Sequence, residues 1–235
     1  MNWLGNLFKK HAVLAPEQQK LLSICRAWPV VPVTAPLEEL RWVVVDVETS
    51  GLDPFHDRLI SIGAVEVVGG RIPLTSGFEV LFRQPEASLP GNILVHGIGG
   101  NAQRSGVEPA TAMLSFLNYA GSAPLIAFHA AFDRVMIERA ARAAIGWVPG
   151  NVWLDLAMLA PALLERNEEE LPRGLDAWTA RLGIVNESRH NALADALATA
   201  QLLQAVLARA RQSGATSLRD LIKLEKDRRW LERGG

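Results

Sequence analysis

The stretch VVVDVETSGLDP, residues 43–54, decides how this chain is read. Four valines in five positions describe a buried β-strand, because branched side chains pack well on a pleated surface. Yet Asp46 and Glu48 lie inside that run. Residues two apart in a strand project from one face, so the carboxylates stand side by side while Val45 and Val47 point the other way. Two acids this close repel, and burying either one unpaired is costly. Divalent cations that favour oxygen ligands, such as Mg²⁺ or Mn²⁺, neutralise such a pair; an edge strand carrying two solvated acids is the plainer alternative. TSGLDP then forms a turn at the strand's C-terminal end, the rim where open α/β sheets bind ligands.

Working outward, RWVVVDVET predicts a first strand and RLISIGAVEVV a second. After Gly69 and Gly70, RIPLTSGFEVLFR predicts a third, joined to the second as an antiparallel hairpin. A loop rich in Gly and Pro follows, then a helix at EPATAMLSFLNYA. The remainder alternates: strand PLIAFH, helix DRVMIERAARAA, strand VWLDL, helix AMLAPALLE. Beyond the charged loop ERNEEELPRG come LDAWTARLG and the long helix ALADALATAQLLQAVLARARQ. A meander leading into alternating helices and strands predicts a mixed α/β sheet with helices on both faces.

Residues 1–40 predict a helical arm and a linker. WLGNLF has helical spacing, PEQQKLLSICRAW is a second short helix, and prolines at 29, 32 and 36 mark an extended linker. The arm either packs on its own domain or docks a partner; QKLLSI weakly resembles a sliding-clamp peptide, although its leucines have core-facing helical spacing. Residues 214–235 form a helical tail, whose charged LIKLEKDRRWLERGG suits i,i+4 pairing on a solvated face better than phosphate contacts.

Composition sets bounds. The chain has 235 residues, 49% hydrophobic and 21% charged, the balance of an ordinary globular protein with one sizeable core. No apolar run reaches the ~20 residues that span a bilayer, and the N-terminus lacks the order of a secretion signal. The single cysteine, Cys25, excludes an intrachain disulfide and suits a reducing cytoplasm. A net charge of −1 gives no global attraction to polyanions. Residues 1–41 and 217–235 are each net +2, leaving −5 on the middle, which suits either a cation-binding cluster or scattered surface charge.

Further acids sit in unexpected places. Asp133 follows PLIAFHAAF and opens a helix, where a plain first-turn acid would also be favourable. Asp195 lies in HNALADALATAQLL, a segment apolar enough to make an acid conspicuous and alanine-rich enough to admit a neighbour. His190 precedes it by five residues and matters if it converges with the acids.

In this order, VVVDVETSGLDP, FHAAFDRVMIERA and RHNALADALATAQLL resemble the three motifs of the DEDDh superfamily of DnaQ-like 3′–5′ exonucleases, which includes the proofreading subunit of bacterial replicative polymerase. Asp46, Glu48, Thr49, Gly51 and Leu52 match the first motif, Phe132 and Asp133 the second, His190 and Asp195 the third. VHGIGG looks like the family's His-Gly-Ile element, and WLDLAML like its Asp-Thr step with Leu156 in place of Thr. The resemblance covers about residues 40–210, with 41–213 as the exonuclease domain, and implies an RNase H-like mixed sheet flanked by helices. Phe128 and His129 depart from the usual His-Asn of the second motif, which puts a point of substrate contact in doubt but not the metal ligands.

The resemblance also implies chemistry. Two divalent cations, Mg²⁺ or Mn²⁺, would be held by Asp46, Glu48, Asp133 and Asp195, with His190 as general base. Glu48, Thr49, Gly51, Leu52 and His96 would meet the terminal nucleotide. The implied activity is release of nucleoside monophosphates from the 3′ ends of single-stranded DNA, with possible association with a DNA polymerase. The alternatives are an RNA-trimming or oligonucleotide-degrading enzyme of the same superfamily and a non-catalytic, polymerase-associated binding subunit. Retention of all four acids and the histidine argues against the last.

Overall fold

A computed structural model describes residues 13–73, 75–165, 171–186 and 188–234. The expected helix at WLGNLF lies outside them. In chain order the elements are α1 (Pro16–Ala27), β1 (Arg41–Thr49), β2 (Leu59–Val68), β3 (Phe78–Leu81), α2 (Pro90–His96), α3 (Gly100–Ser105) and α4 (Pro109–Ala120). There follow β4 (Leu125–Ala127), α5 (Ala130–Ile145), β5 (Trp153–Asp155), α6 (Leu156–Leu164), α7 (Gly174–Leu182), α8 (Ala192–Gln212) and α9 (Leu218–Gly234).

The strands form one sheet in the order β3-β2-β1-β4-β5, antiparallel across β3-β2-β1 and parallel across β1-β4-β5. This is the expected mixed sheet with helices on both faces. The third strand is much shorter than RIPLTSGFEVLFR suggested. Pro73 cannot donate to a ladder, and the chain turns at Ser76, whose N–H and hydroxyl both bond the Pro73 carbonyl. The Gly- and Pro-rich stretch before α4 holds two short helices, α2 and α3, that periodicity did not reveal.

β1 is the spine, and its alternation sorts the core. Val43 and Val45 face one apolar cluster, built with α1, α4 and α5, while Trp42 and Val44 face a second, built with α6, α8 and α9. Asp46 and Glu48 continue the second face beyond the point where its apolar packing ends. There β1 also loses its partner on one side, because β4 pairs only at Val43–Leu125 and Val44–Ile126. The sheet therefore opens at the C-terminal ends of its parallel strands. On the other side a register shift between Glu48 and Thr49 bends the chain into the following loop.

Gly63 lets α8 close over this edge. It pairs with Asp46 across the ladder, and a Cβ there would lie 2.2 Å from the backbone of Ala192 and Leu193 at the start of α8. Only a residue without a side chain admits that contact.

α1 and α9, the first and last of the described elements, both pack onto the domain. On α1, Leu22 and Cys25 are buried, and Gln18 bonds Glu108 and Thr111 of α4. The linker zips to the start of α9 through Arg219 N–H to Val33 O at 2.7 Å and Leu37 N–H to Thr216 O at 3.0 Å. Leu218 and Leu221 of α9 are fully buried, so the tail is partly a core element and not only a solvated face. Gly63→Ala is expected to cost about 1–3 kcal/mol through overpacking, read as a lowered urea midpoint, and to loosen Asp195 from Asp46.

Candidate functional site

Three acids meet at the open edge. Asp46 and Glu48 come from β1 and Asp195 from the first turn of α8, each offering an oxygen within 4.8 Å of the others. Asn191 caps α8 by accepting the Ala194 N–H at 3.0 Å, which fixes the turn that carries Asp195. Asp195 is buried and held on both oxygens: Oδ2 accepts the His190 N–H at 3.0 Å, and Oδ1 accepts from Asn186 Nδ2 at 2.5 Å and Arg189 Nη1 at 2.7 Å. Arg189 also grips Asp176 of α7 through Nε at 2.5 Å and Nη2 at 2.8 Å.

Asp133 stands outside that trio but beside it. Buried in the first turn of α5, its carboxylate lies beside the backbone N–H of Val47, between the two acids of β1. The strand geometry explains this. Val43 donates its N–H toward the Pro124 carbonyl on the β4 side, so Val47, four residues on, donates toward the same side where β4 has ended. Asp133 lies on the side of β1 that the missing strand leaves open.

The electrostatics follow from crowding. Burial, then the charges of Asp133, Asp195 and Glu48, push the Asp46 carboxyl well above its ordinary range, against the pull of Arg189. Burial and Asp195 raise Glu48 to about 8, again opposed by Arg189. Burial also raises Asp133 to about 8, with Asp155 adding to it and the backbone N–H of Val47 opposing. The floor of the site supplies one more polar group. Ser61 pairs with Glu48 in the ladder, is 2% exposed, and its hydroxyl has no hydrogen-bond partner among the described residues. An all-carboxylate donor set, mutually destabilised until a cation arrives, beside an unpartnered buried hydroxyl, fits a hard divalent ion.

His190 lies in the segment leading into α8 with a left-handed backbone, φ 61°. Its ring is exposed and has no partner among the described residues, while its backbone N–H braces Asp195. The loop after β1 is well tied. Thr49 Oγ1 donates to the Gly51 carbonyl at 2.6 Å, and Asp57 accepts from Ser50 Oγ and the Asp53 N–H, both at 2.8 Å. A Cβ on Gly51 would strike the Asp57 carboxylate at 2.4 Å. Asn92 and Arg139 hold the Ser50 and Pro54 carbonyls. Leu52, at the tip, is 89% exposed.

His96 does not fit the expectation of substrate contact. It is buried, and its Nδ1 accepts the Ile98 N–H at 3.0 Å, which leaves the proton on Nε2, 3.3 Å from Ser88 Oγ. Both ring nitrogens are occupied inside the loop, where Gln103 completes the network. His129 takes a left-handed conformation, φ 65°, and its N–H bonds the Asp155 carboxylate at 2.9 Å.

A family model described as an exonuclease domain, RNase_T, matches residues 43–203 and so takes in the acid trio, Asp133 and His190. The chain belongs to the DnaQ-like exonuclease family. As a family member, it is 33% identical over 185 residues to a DNA polymerase III subunit epsilon-like protein of Rhodobacter capsulatus, covering 77% of this chain and 26% of that protein. It is 27% identical over 187 residues to the PolC-type DNA polymerase III of Thermotoga maritima, covering 80% of this chain and 13% of that one. The chain thus spans about a quarter or less of these relatives. Among solved structures, E. coli exonuclease I in complex with a dA16 oligonucleotide superposes with a TM-score of 0.62 at 21% identity, over 77% of this chain and 42% of that one. Exonuclease X in complex with 5′ overhanging duplex DNA gives 0.59 at 21% identity, over 78% and 99%. This DnaQ-like exonuclease shares their fold.

Sequence reasoning missed Ser61, Gly63, Asn186, Arg189 and Asp57. Only Gly63 left a trace, a glycine inside a strand pattern, which marks close backbone approach. Carboxyls whose folded values are raised stabilise the protein at low pH, and that contribution is lost as pH climbs from their ordinary values near 4 to about 8. Metal-free protein should therefore melt at progressively lower temperature across that interval. Added Mn²⁺ should raise the melting temperature more at the alkaline end than at the acid end. Thermal scans with Mn²⁺ or with chelator check both trends, and a rising metal-free melting temperature across the window would contradict the assignment.

Proposed function

We propose that this protein is a metal-dependent 3′–5′ exonuclease that releases nucleoside monophosphates from single-stranded DNA ends. The observation that carries it is the meeting of Asp46, Glu48 and Asp195 at the open edge of the sheet, with Asp133 buried close beside them. These four carboxylates would hold two divalent cations, Mg²⁺ or Mn²⁺. When bound, such cations supply Lewis acidity at phosphorus and lower the pKa of an attacking water.

The chain's own residues do the rest. His190, exposed and with a free ring, accepts the proton of the attacking water, since imidazole titrates near neutral pH. Its backbone bond to Asp195 ties the base to a ligand, so the two move together. The preorganised loop presents Thr49 and Gly51 backbone to the terminal sugar, and exposed Leu52 packs against the terminal base. Glu48 accepts from the 3′-hydroxyl. Contacts of this kind read a strand end and not a base sequence. His96 is assigned to holding its loop. The oligonucleotide and overhanging-duplex complexes of the structural neighbours support a DNA end as substrate, and the polymerase III relatives support association with a polymerase.

The test uses single-stranded DNA and RNA of one sequence, labelled at either end, with Mg²⁺ or Mn²⁺. Mononucleotides should leave the 3′ end first and DNA should be the better substrate. Asp46→Ala should abolish turnover, and His190→Ala should lower kcat about 10²–10⁴-fold while Mn²⁺ binding persists. Loss of the 5′ label first would reverse the direction, RNA preferred by orders of magnitude would change the substrate, and an active Asp46→Ala would remove the site.

A further inference from the structure

The family match ends at residue 203, yet α9, fifteen residues beyond it, reaches the back of the acid cluster. Asp155 sits between them. Its side chain is 4% exposed and fully engaged: Oδ1 accepts the Ala157 N–H at 2.9 Å, capping α6, and the His129 N–H at 2.9 Å. Oδ2 receives Arg229 Nη2 of α9 at 2.9 Å. Glu225, one turn earlier on α9, accepts the Asp155 N–H at 3.1 Å and Arg229 Nε at 3.0 Å. The guanidinium therefore closes a ring of charge-assisted bonds around one buried residue.

The ring bears on the site through His129. A non-glycine residue in the left-handed region persists only where surrounding contacts over-determine it. His129 is the cap of α5, and Asp133 lies on the first turn after it. Any relaxation of His129 re-aims the start of α5 and moves Asp133, on its first turn, relative to β1. A buried carboxylate that loses the Arg229 guanidinium is a strong drive for such relaxation, because Asp155 must then find other donors.

We infer that Arg229, with Glu225, is a positioning residue of the active site, and that α9 completes the catalytic domain through Asp155 and the left-handed His129. This rests on the metal-dependent reading of the acid cluster, and metal affinity and turnover are measured separately so that the two can fail independently.

In the full chain, Arg229→Met keeps the side chain's length and removes its charge. Calorimetric titration with Mn²⁺ should show affinity about 10–100-fold weaker. Turnover should lose about 10²-fold in kcat with KM unchanged. Arg229→Lys should recover part of both, since an ammonium restores the charge on Asp155 but not the fork to Glu225. His129→Gly supplies the decisive control: glycine takes the left-handed conformation freely. In that background Arg229→Met should cost less than it does in the wild type. Wild-type Mn²⁺ affinity in Arg229→Met would overturn the inference. So would a loss of equal size in the His129→Gly background, which would mark α9 as a packing element alone. If no variant, wild type included, degrades nucleic acid, the exonuclease reading fails while the Mn²⁺ affinities still decide the role of α9.

Discussion

Mutual repulsion among carboxylates at the end of one strand is the constraint on which this structure turns. Burial first, and then the charges of Asp133 and Asp195, raise the proton affinity of Asp46 and Glu48, while burial and Asp155 raise that of Asp133. Left to itself such a cluster would spread apart. The fold prevents that by drawing the four acids from three supports: a rigid central strand for Asp46 and Glu48, a capped first helical turn on α8 for Asp195, and the first turn of α5 for Asp133. What results is a cluster that a cation relieves, and relief by a cation is the physical content of metal affinity.

The neighbours of the cluster can be understood as counterweights. Arg189 bridges Asp195 to Asp176, lowering the charge density on the α8 side. The His190 N–H bonds Asp195, and the backbone N–H of Val47 works against the upward push of burial on Asp133. On the far side Asp155 is balanced by Arg229. Asp195 and Asp155 are thus hydrogen-bonded to both a guanidinium and a backbone N–H, whereas Asp46 and Glu48 feel Arg189 only through its charge.

A large part of this was legible in the chain. The alternation of 43–49 located the central strand, its two faces and the adjacency of Asp46 and Glu48, because a period of two is a local property. The apolar patterns of α4, α5 and α8 were equally readable. The third strand was overestimated, since Pro73 and the turn at Ser76 remove ladder partners that hydropathy does not register. The helices α2 and α3 went unseen, being seven and six residues long and lacking a full apolar stripe. His96 illustrates the limit for single residues: its type and motif suggested a ligand contact, while its hydrogen bonds turn both nitrogens inward.

By itself the sequence determined which residues share a face of the first strand, the family, and which acids are candidates, because side-chain spacing and ordered motifs are written along one dimension. Tertiary structure alone decided that α8 lies close enough for Asp195 to reach β1, a matter of Gly63 having no side chain. It also decided that Asp133 comes to lie beside β1 and that Asp155 links α9 to the His129 N–H before α5. These are contacts between segments tens of residues apart. They arise from where β4 stops and what the exposed backbone then needs, a requirement for hydrogen-bond partners that no local pattern encodes.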